Sequence, residues 1–592
     1  MKRPNNPPPA NTTVVNFSTY LGDDLADVVR DVVLDSAGNA YVVGGALSVD
    51  LLDGAPVRAH GGSEDAFVAK FNTAGQVVWW TFLGGAGPDR GYAIDLAPGD
   101  EVVIGGSAAA GFPVTAGAVL ETFQGGAGAC DPNQLPSGTP AGAVCVPSTT
   151  DPARDGFVAK LDANGALLWA TYFGSGTFEA DTYIDDTSTA NDDNVTDFND
   201  DLDPRTSVVR DVAVDPNGGE IYLTFSVRSP SAFFPDPDPD IDPDTDGNQD
   251  GPLEPAAIRN LPPVILTALQ AGDRSVQPSM DSQGLAGRID GLLAKLAPDG
   301  ASLLWATYVG GTGDESTAGF VRLDSQGNPI VLFHTDSVQR IEAQDPDTKE
   351  VLETEDIAQG GFDTEFGGGT DFFLAKFGMD GPMIWSTYMG GSGVEAIDSA
   401  GFALQSDDSI VIAGFASSSD FNPNDGDPFD PTFNGSDNGG FFSADCGIAK
   451  IAPDAAELEA TTLYGGGQGD ACTGVDVDDQ DRIYVTGGTH SPDLPIAGGP
   501  HQFELPGARS AFLAVFTPDL MDLLAGGYFG GTGFGNANAL VLRSTTATSA
   551  TIVFAGESEA GYPLSASPAR ETVTAPPAHG VLSDVTLDLS TP

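Results

Sequence analysis

The acidic side chains at alternate positions are the feature of this sequence best suited to chemistry. Residues 236–250 place an aspartate at every second position up to residue 246 and then follow it with a glycine. Carboxylate and amide oxygens spaced in this way around a sharp turn are ligands that calcium favours. The sequence therefore predicts a calcium site with five ligands: Asp242, Asp244, Asp246, Asn248 and Asp250.

The match to a calcium-binding loop is partial. Its twelfth position is Leu253, Glu254 comes one residue late, and no helical pattern flanks the segment. It is closer to the aspartate-rich calcium repeats of extracellular proteins than to an EF-hand. The alternative is a solvated Pro-Asp spacer, which the same composition would produce. A second acidic stretch, residues 181–203, lacks regular spacing and is interpreted as a solvated loop.

Catalytic groups are harder to find in the pattern. The five histidines have no zinc-type spacing, and no Gly-x-Ser-x-Gly elbow occurs. His334 ends a predicted strand and is the histidine worth testing, although a polar contact is the favoured interpretation. Two carboxylates at catalytic separation leave no sequence signature, so a glycoside hydrolase or lyase stays open as an alternative. The prediction nevertheless leans away from an enzyme.

The net charge of the chain limits the classes of partner that it can bind. With 85 acidic and 24 basic side chains the net charge is −61, which excludes nucleic acid as a natural partner. Such a surface requires screening, either by calcium or by the high salt of a halophilic habitat. The apolar runs are too short to cross a bilayer, so we predict no transmembrane segment.

Four cysteines suit two disulfides, Cys130 with Cys145 and Cys446 with Cys472. Paired cysteines indicate an oxidising, extracytoplasmic setting, and four unpaired thiols are the alternative. Residues 1–13 have no apolar stretch of the signal-peptide kind and are interpreted as an extended leader.

Internal repetition organises the rest of the chain. A motif of the form Trp-x-Thr-Tyr-x-Gly-Gly occurs in seven copies, at residues 17–22, 80–85, 169–174, 305–311, 385–391, 461–466 and 527–531. A second motif, Asp-x-Phe-x-Ala-Lys, occurs at residues 65–70, 155–160, 290–295, 371–376 and 445–450, with weaker copies at 510–515 and 584–589. Because both motifs are periodic, we interpret their Trp, Lys and Asp side chains as contacts between repeats.

Turn residues such as those of 35–39 join two further apolar runs in each repeat, so a repeat holds four strands, A to D. Seven such units predict an all-β, seven-bladed β-propeller with four antiparallel strands per blade, occupying residues 14–592 as one domain. The chain opens with a lone D strand at residues 14–20 and ends with a unit that lacks one. The N-terminal strand is therefore expected to complete the last blade and close the ring. An open solenoid is the alternative.

These strings resemble the SBBP repeats of bacterial and archaeal seven-bladed β-propellers. The resemblance rests on the two motifs above, on Asp-x-x-Gly-Asn-x-Tyr-Val-x-Gly strings, and on linkers such as residues 111–115, 420–424 and 492–495. It implies the propeller fold and a secreted or surface location, and it is nearly silent on activity.

The long connections all fall between strands B and C or between D and the next A. The main ones are residues 107–154, 175–206, 229–288 and 336–370, and the same reasoning covers 416–444, 489–509 and 557–582. Since neighbouring strands alternate in direction, these insertions should build one face of the disc. We therefore predict a non-catalytic binding or scaffold module with calcium-stabilised loops that presents this face to a protein, a glycan or another copy of itself. The alternatives are the hydrolase or lyase and a subunit of a surface filament or layer.

Overall fold

The computed structural model describes residues 13–23, 25–123, 154–173, 208–228, 289–310, 315, 319–344, 351–421, 428–430, 432–434, 444–559, 561–564 and 578–590. The described chain forms seven four-stranded antiparallel sheets and one separate two-stranded hairpin. The fold class predicted from the repeats is therefore confirmed.

Within each sheet the strands follow the order A, B, C, D. The A strands are β2 (Asp27–Leu34), β6 (Asp89–Ala97), β10 (Val209–Val214), β14 (Phe320–Leu323), β20 (Glu395–Leu404), β24 (Asp470–Val477) and β28 (Gly535–Thr545). The B strands are β3 (Ala40–Ala46), β7 (Glu101–Ala108), β11 (Ile221–Arg228), β15 (Pro329–Thr335), β21 (Ile410–Ala416), β25 (Ile483–Thr489) and β29 (Ser549–Ser558).

The C strands are β4 (Asp65–Phe71), β8 (Asp155–Leu161), β12 (Ile289–Leu296), β18 (Asp371–Phe377), β22 (Asp445–Ile451), β26 (Ser510–Phe516) and β30 (His579–Asp588). The D strands are β5 (Val77–Leu83), β9 (Leu167–Phe173), β13 (Leu303–Val309), β19 (Met383–Met389), β23 (Leu458–Tyr464), β27 (Leu523–Phe529) and β1 (Val14–Leu21). The separate hairpin, β16 (Gln339–Gln344) with β17 (Val351–Asp356), lies inside the insertion predicted at residues 336–370.

The A–B turns have the side-chain chemistry that the sequence predicts. Asp35 accepts hydrogen bonds from the amides of Ala37 and Asn39, at 3.0 and 2.9 Å, and Gly38 between them has a φ of 79°. An aspartate that caps its own turn and a glycine in the left-handed region are what a tight connection between two strands requires.

The seven sheets form a ring. Each A strand contacts the A strand of the next sheet, from β2 through β6, β10, β14, β20, β24 and β28 and back to β2. The first strand of the described chain, β1, pairs antiparallel with β30, with Thr19 opposite Leu582, and so supplies strand D of the seventh sheet. The A strands therefore surround the axis and the D strands form the rim.

Aromatic residues of the D strands join adjacent blades on the face of the tight turns. The indole of Trp79 donates a 2.9 Å hydrogen bond to the carbonyl of Ala163 in the C–D turn of the next blade. Trp169 and Trp305 make the same bond to Pro298 and Met379, at 3.2 and 2.9 Å. The predicted inter-blade packing of these tryptophans is confirmed.

The repeated lysines do not all join two blades as predicted. Lys70 pairs with Asp35 at 3.1 Å and Lys376 with Asp324 at 2.8 Å, and in both cases the two residues belong to the same blade. Lys295, in contrast, donates to the carbonyl of Met379 in the next blade at 3.5 Å. The prediction is therefore wrong for Lys70 and Lys376, whose charges neutralise the A–B turn of their own sheet.

The register of the last C motif was also wrong. Residues 584–589 were aligned with Asp-x-Phe-x-Ala-Lys, but Ser558 pairs with His579 just as Ala46 pairs with Asp65. His579 therefore occupies the aspartate position of the motif, and Asp584 occupies the lysine position, where it forms an ion pair with Arg543. The last insertion accordingly spans 559–578 and is shorter at both ends than predicted.

Candidate functional site

The described insertions begin where strand B ends and return where strand C starts, so they share one face of the ring, which we call the insertion face. Tyrosines of the D motif hold the first turn of several insertions. The Tyr172 hydroxyl donates to the carbonyl of Ala109 at 3.0 Å and accepts from the amides of Gly111 and Phe112. Tyr388 donates to the carbonyl of Ser337 at 2.7 Å.

The sixth and seventh blades repeat this contact. Tyr528 donates to the carbonyl of Ser491 at 2.7 Å, and Tyr20 donates to that of Glu559 at 2.9 Å. The hydroxyl therefore satisfies backbone groups of a connection that would otherwise have no partner in the sheet. We call this contact the tyrosine clamp.

The threonine that precedes the tyrosine holds the insertion further along its course. Thr171 Oγ1 accepts a hydrogen bond from the amide of Leu120 at 2.8 Å, and Thr387 Oγ1 accepts one from Asp363 at 3.1 Å. Backbone bonds accompany these contacts, such as that from the amide of Tyr172 to the carbonyl of Leu120 at 3.0 Å. The insertion thereby covers the outer edge of strand D, which protects an exposed strand edge from unwanted pairing.

Pairs of buried carboxylates lie between adjacent blades beneath the insertion face. One member is the aspartate that starts strand C, and the other is an acidic residue at the start of the next strand A. Three such pairs, which we call the junction carboxyl pairs, are Asp65 with Asp89, Asp371 with Glu395, and Asp445 with Asp470. All six side chains are at most 1% exposed.

A glycine separates the two carboxylates of each pair. A Cβ placed on Gly84 would lie 2.3 Å from Asp65 Oδ1 and 2.8 Å from Asp89 Oδ2. On Gly390 the corresponding distances to Asp371 Oδ1 and Glu395 Oε2 are 2.2 and 2.9 Å. The Gly of the D motif is therefore required because a side chain there would collide with both carboxylates.

Each pair connects two consecutive insertions. Asp65 accepts from the amide of Gly61, near the end of the first insertion, at 2.6 Å. Its partner Asp89 accepts from the amide of Ala109, at the start of the second insertion, at 2.9 Å. Asp371 and Asp445 accept in the same way from the amides of Gly367 and Asn434. The pairs thus link the base of one insertion to the base of the next.

Burial changes the protonation of these groups. Burial, with a smaller contribution from the neighbouring carboxylate of each pair, raises the pKa of Asp89, of Asp371 and of Asp445 to about 7. Burial also raises the pKa of the partners Asp65, Glu395 and Asp470. One carboxyl of each pair therefore titrates close to neutral pH.

The junction between the last and first blades differs. Its C-strand position is His579, whose Nδ1 lies 4.0 Å from Oδ2 of Asp27. Asp27 also accepts from the amide and the hydroxyl of Ser48, at 3.0 and 2.6 Å. The junction before it has Ser510 in place of the aspartate. These two positions therefore avoid a pair of like charges.

A second group of acidic residues surrounds the axis. Asp31, Asp95, Asp211 and Asp476 each accept a hydrogen bond from a backbone amide of the next A strand, for example Asp31 from Ile94 at 3.0 Å and Asp211 from Val321 at 2.9 Å. Arg322 pairs with Asp211 at 2.6 Å. Burial raises the pKa of Asp31 to about 7 and those of Asp95 and Asp476 to about 6, while the Arg322 charge opposes the rise.

Bulges in the A strands present a different set of side chains. The register of β2 with β3 skips Arg30, that of β6 with β7 skips Tyr92, and that of β10 with β11 skips Arg210. The guanidinium groups of Arg30 and Arg210 lie 4.5 and 4.7 Å from the centre of the Tyr92 ring. Cation–π contacts therefore join the first three blades near the axis.

The predicted calcium ligands Asp242, Asp244, Asp246, Asn248 and Asp250 lie outside the described residues, as do Cys130, Cys145 and the acidic stretch at 181–203. The described residues contain no group of three or more His, Cys, Asp or Glu side chains placed to hold a metal. His334, the histidine singled out from the sequence, lies near the end of β15, is partly exposed and interacts with neighbouring groups.

The second disulfide is present. Cys446 of β22 and Cys472 of β24 are bonded, with Cα atoms 5.0 Å apart, and they connect the fifth and sixth blades.

The sequence interpretation found the C-strand aspartates as contacts between repeats but missed their acidic partners. A signal existed, because Asp27, Asp89, Glu315, Glu395 and Asp470 each stand five residues after the first Gly of a D motif. The tyrosine clamp was also missed. The motif tyrosine looked like an ordinary core residue, and its hydrogen-bond partner is a loop of unrelated sequence.

Fold and repeat together define a seven-bladed β-propeller. Residues 16–48 match the SBBP beta-propeller repeat, which confirms the resemblance drawn from the motifs. Comparison with curated proteins gives no match. No helix in the described part of the chain is long and apolar enough to cross a membrane.

Solved structures match this chain at low identity and low TM-score. A protein of unknown function from Dyadobacter fermentans has 8% identity, a TM-score of 0.35, and coverage of 97% of this chain and 99% of its own. Quinohemoprotein alcohol dehydrogenase from Comamonas testosteroni has 10% identity, a TM-score of 0.35, and coverage of 98% and 77%. A PL25 ulvan lyase has 10% identity, a TM-score of 0.37, and coverage of 92% and 93%. Likeness at this level carries no argument about function.

Proposed function

We propose that this chain is a non-catalytic binding or scaffold module of the cell exterior, which presents calcium-stabilised insertions on one face to a protein or glycan partner. The observation that carries the proposal is the way the described insertions are anchored. Tyrosine clamps hold their first residues and junction carboxyl pairs hold their bases, all on the insertion face. A rigid base that carries variable loops is a common arrangement for recognition.

Two further features support the location and the metal. A disulfide between blades, Cys446 with Cys472, is typical of proteins that fold in an oxidising compartment. A net charge of −61 favours binding of divalent cations, since they reduce the repulsion among carboxylates.

The calcium part is tested by thermal unfolding in calcium and in chelator. We expect calcium to raise the Tm, because an ion that binds only the folded chain stabilises it. The triple variant Asp242→Asn, Asp244→Asn, Asp246→Asn should lose that rise. The matched control, Asp185→Asn, Asp186→Asn, Asp192→Asn, removes equal charge from the irregular acidic stretch and should keep it. An equal loss in both variants would mean that only net charge matters.

The binding part is tested with glycan and protein arrays. Replacement of residues 229–288 by an Asn-Gly turn should reduce binding at least tenfold and leave the propeller folded, since β11 and β12 already pair along their whole length. Thr73→Glu, in an exposed turn on the opposite face, is the control and should bind as the parent does. Unchanged binding by the shortened chain would contradict a role for this insertion.

The competing proposal is a carbohydrate-active hydrolase or lyase. The described junction pairs have the raised pKa that acid–base chemistry would need, but burial keeps them from substrate. Of the axial aspartates, Asp31 and Asp95 are partly exposed, yet each oxygen of these two carboxylates accepts a hydrogen bond from a backbone amide. These bonds favour a structural role. Cleavage of a bound glycan would support the enzyme, and concentration-dependent growth in size would support a filament or layer.

A further inference from the structure

The junction carboxyl pairs share an unusual geometric feature. In all three, one oxygen of the C-strand aspartate accepts a backbone amide, while the other has no hydrogen-bond partner among the described atoms. These second oxygens, Oδ1 of Asp65, Asp371 and Asp445, all point at the glycine that separates them from the acidic partner. A fully buried carboxylate oxygen without a donor is costly, so its recurrence at three junctions requires an explanation.

The partner oxygen nearest to each of them has its own donor. Asp89 Oδ2 accepts from the amide of Gly85, Glu395 Oε2 from that of Gly391, and Asp470 Oδ2 from that of Gly466, each at 2.7 Å. Each pair thus brings two carboxylate oxygens against the same glycine, and no described donor serves the oxygen of the C-strand aspartate. A proton on one carboxyl turns an acceptor into a donor and removes one of the two negative charges.

We propose that one carboxyl of each junction carboxyl pair is protonated in the folded chain, so that the ring takes up protons on acidification and thereby tightens the bases of consecutive insertions. The proposal is independent of the proposed function, because it concerns the blade junctions and not the partner or the calcium-binding stretch.

The surrounding charges favour the proton at two junctions. Asp363 and Asp420 lie near the Asp371 pair, and Asp430 and Asp493 lie near the Asp445 pair, so a second negative charge there meets further repulsion. The Asp65 pair is different. His60 and Arg58 face Asp65, and Glu64 faces Asp89 and is itself paired with Arg90. Positive charge beside this pair reduces the repulsion between its two carboxylates, and so reduces the need for a proton. The Asp371 and Asp445 pairs are therefore the ones to test.

The direction of the pH effect follows from the pKa values. The pKa of Asp371 and of Asp445 rises from 3.8 to about 7 on folding, because burial and the paired carboxylate disfavour the charge. A folded chain with raised pKa binds protons that the unfolded chain releases. The stabilisation is therefore complete below about pH 4, is lost as the pH rises toward 7, and is absent at pH 8.

The test compares Asp371→Asn and Asp445→Asn with the parent in thermal unfolding from pH 4.5 to pH 8. Asparagine keeps the acceptor for the Gly367 or Asn434 amide and carries a permanent donor where the proton would sit. We expect each variant to have a Tm about 2 °C above the parent at pH 8 and no advantage at pH 4.5. Asp454→Asn, in an exposed C–D turn, is the charge-matched control and should follow the parent at every pH.

Two results would overturn the proposal. A Tm that is lowered by the same amount at every pH in both variants would show that the carboxylates act only as hydrogen-bond acceptors. A calcium-dependent rise in the parent at pH 8 that Asp371→Asn and Asp445→Asn abolish would show that a metal, not a proton, joins the pair. Loss of the calcium response only in the variant at residues 242–246 would instead concern the proposed function and leave this inference intact.

Discussion

Each residue of the D motif makes a different contact in the folded chain. In Trp-x-Thr-Tyr-x-Gly-Gly, the tryptophan joins the next blade, and the threonine and tyrosine hold the insertion of their own blade. The first glycine leaves room for two carboxylates. The motif therefore combines packing between blades with anchoring of the insertion face in seven residues.

Removal of one tyrosine hydroxyl should loosen one insertion only. Tyr388→Phe leaves the carbonyl of Ser337 without its 2.7 Å donor, which should lower the free energy of unfolding by about 1–2 kcal/mol. The phenyl side chain should fit in place of the tyrosine, since the first blade has Phe82 at the equivalent position. Limited proteolysis should become faster within residues 336–370. Cleavage within residues 107–154, where Tyr172 is intact, is the internal control, and equal acceleration at both places would contradict the clamp.

At the level of strands and turns, the C–D turn of one blade receives the tryptophan of the preceding blade. The turn glycines Gly165 and Gly300 combine a left-handed φ, 83° and 67°, with close approach of an indole ring. Gly75 receives the ring of Phe17 in the same way, at the junction that β1 completes. One type of contact therefore recurs around the ring, including the closing junction.

Two substitutions separate the cost of a steric clash with the indole from the cost of placing an L-residue at positive φ. Gly300→Ala would place a Cβ 2.4 Å from the Trp169 ring, whereas Gly99→Ala, at a φ of 89°, would meet nothing within 4 Å. Both variants suffer the backbone strain of an L-residue at positive φ, about 1 kcal/mol. Gly300→Ala should cost about 2 kcal/mol more because the indole must move. Urea unfolding followed by tryptophan fluorescence measures the difference, and equal costs would refute the packing role.

For the molecule as a whole, the ring is held by non-covalent junctions and by one described disulfide. Cys446 follows the C-strand aspartate directly, and Cys472 stands two residues after the A-strand acid Asp470. The closing junction has Gly580 and Val29 at the equivalent positions, and a Cβ on Gly580 would lie 3.0 Å from Val29 Cγ2. The closing junction is therefore close enough for a disulfide of the same kind.

A second covalent link should stabilise the closed ring. We expect the double variant Val29→Cys, Gly580→Cys to form a disulfide and, without reductant, to have a free energy of unfolding in urea about 3 kcal/mol above that of the parent, because the bond closes a very long loop in the unfolded chain. Thiol titration before and after reduction shows whether the bond exists. The single variants are the controls and should gain nothing. Two free thiols in the folded double variant would contradict the register of the last blade.

The repeats in the sequence were sufficient for the class of fold, the number of blades and the strand order. These follow from local rules, because the alternation of apolar residues in a strand and the residue types of a turn depend only on residues close together in the sequence. The same rules failed for Lys70, for Lys376 and for His579. There the residue types of a motif were compared, and the pairing register of the strands cannot be read from residue types alone.

The junction carboxyl pairs, the tyrosine clamps and the axial aspartates arise only when blades meet. Asp65 starts β4 and Asp89 starts β6, so two strands and two connections separate them along the chain. The pKa of both is raised by burial between two sheets, which no local pattern encodes. Tyr172 likewise needs the backbone of an insertion that bears no recognisable motif. Residue types and spacing thus define each blade, whereas the desolvation and proximity that create the chemistry of the junctions belong to the assembled ring.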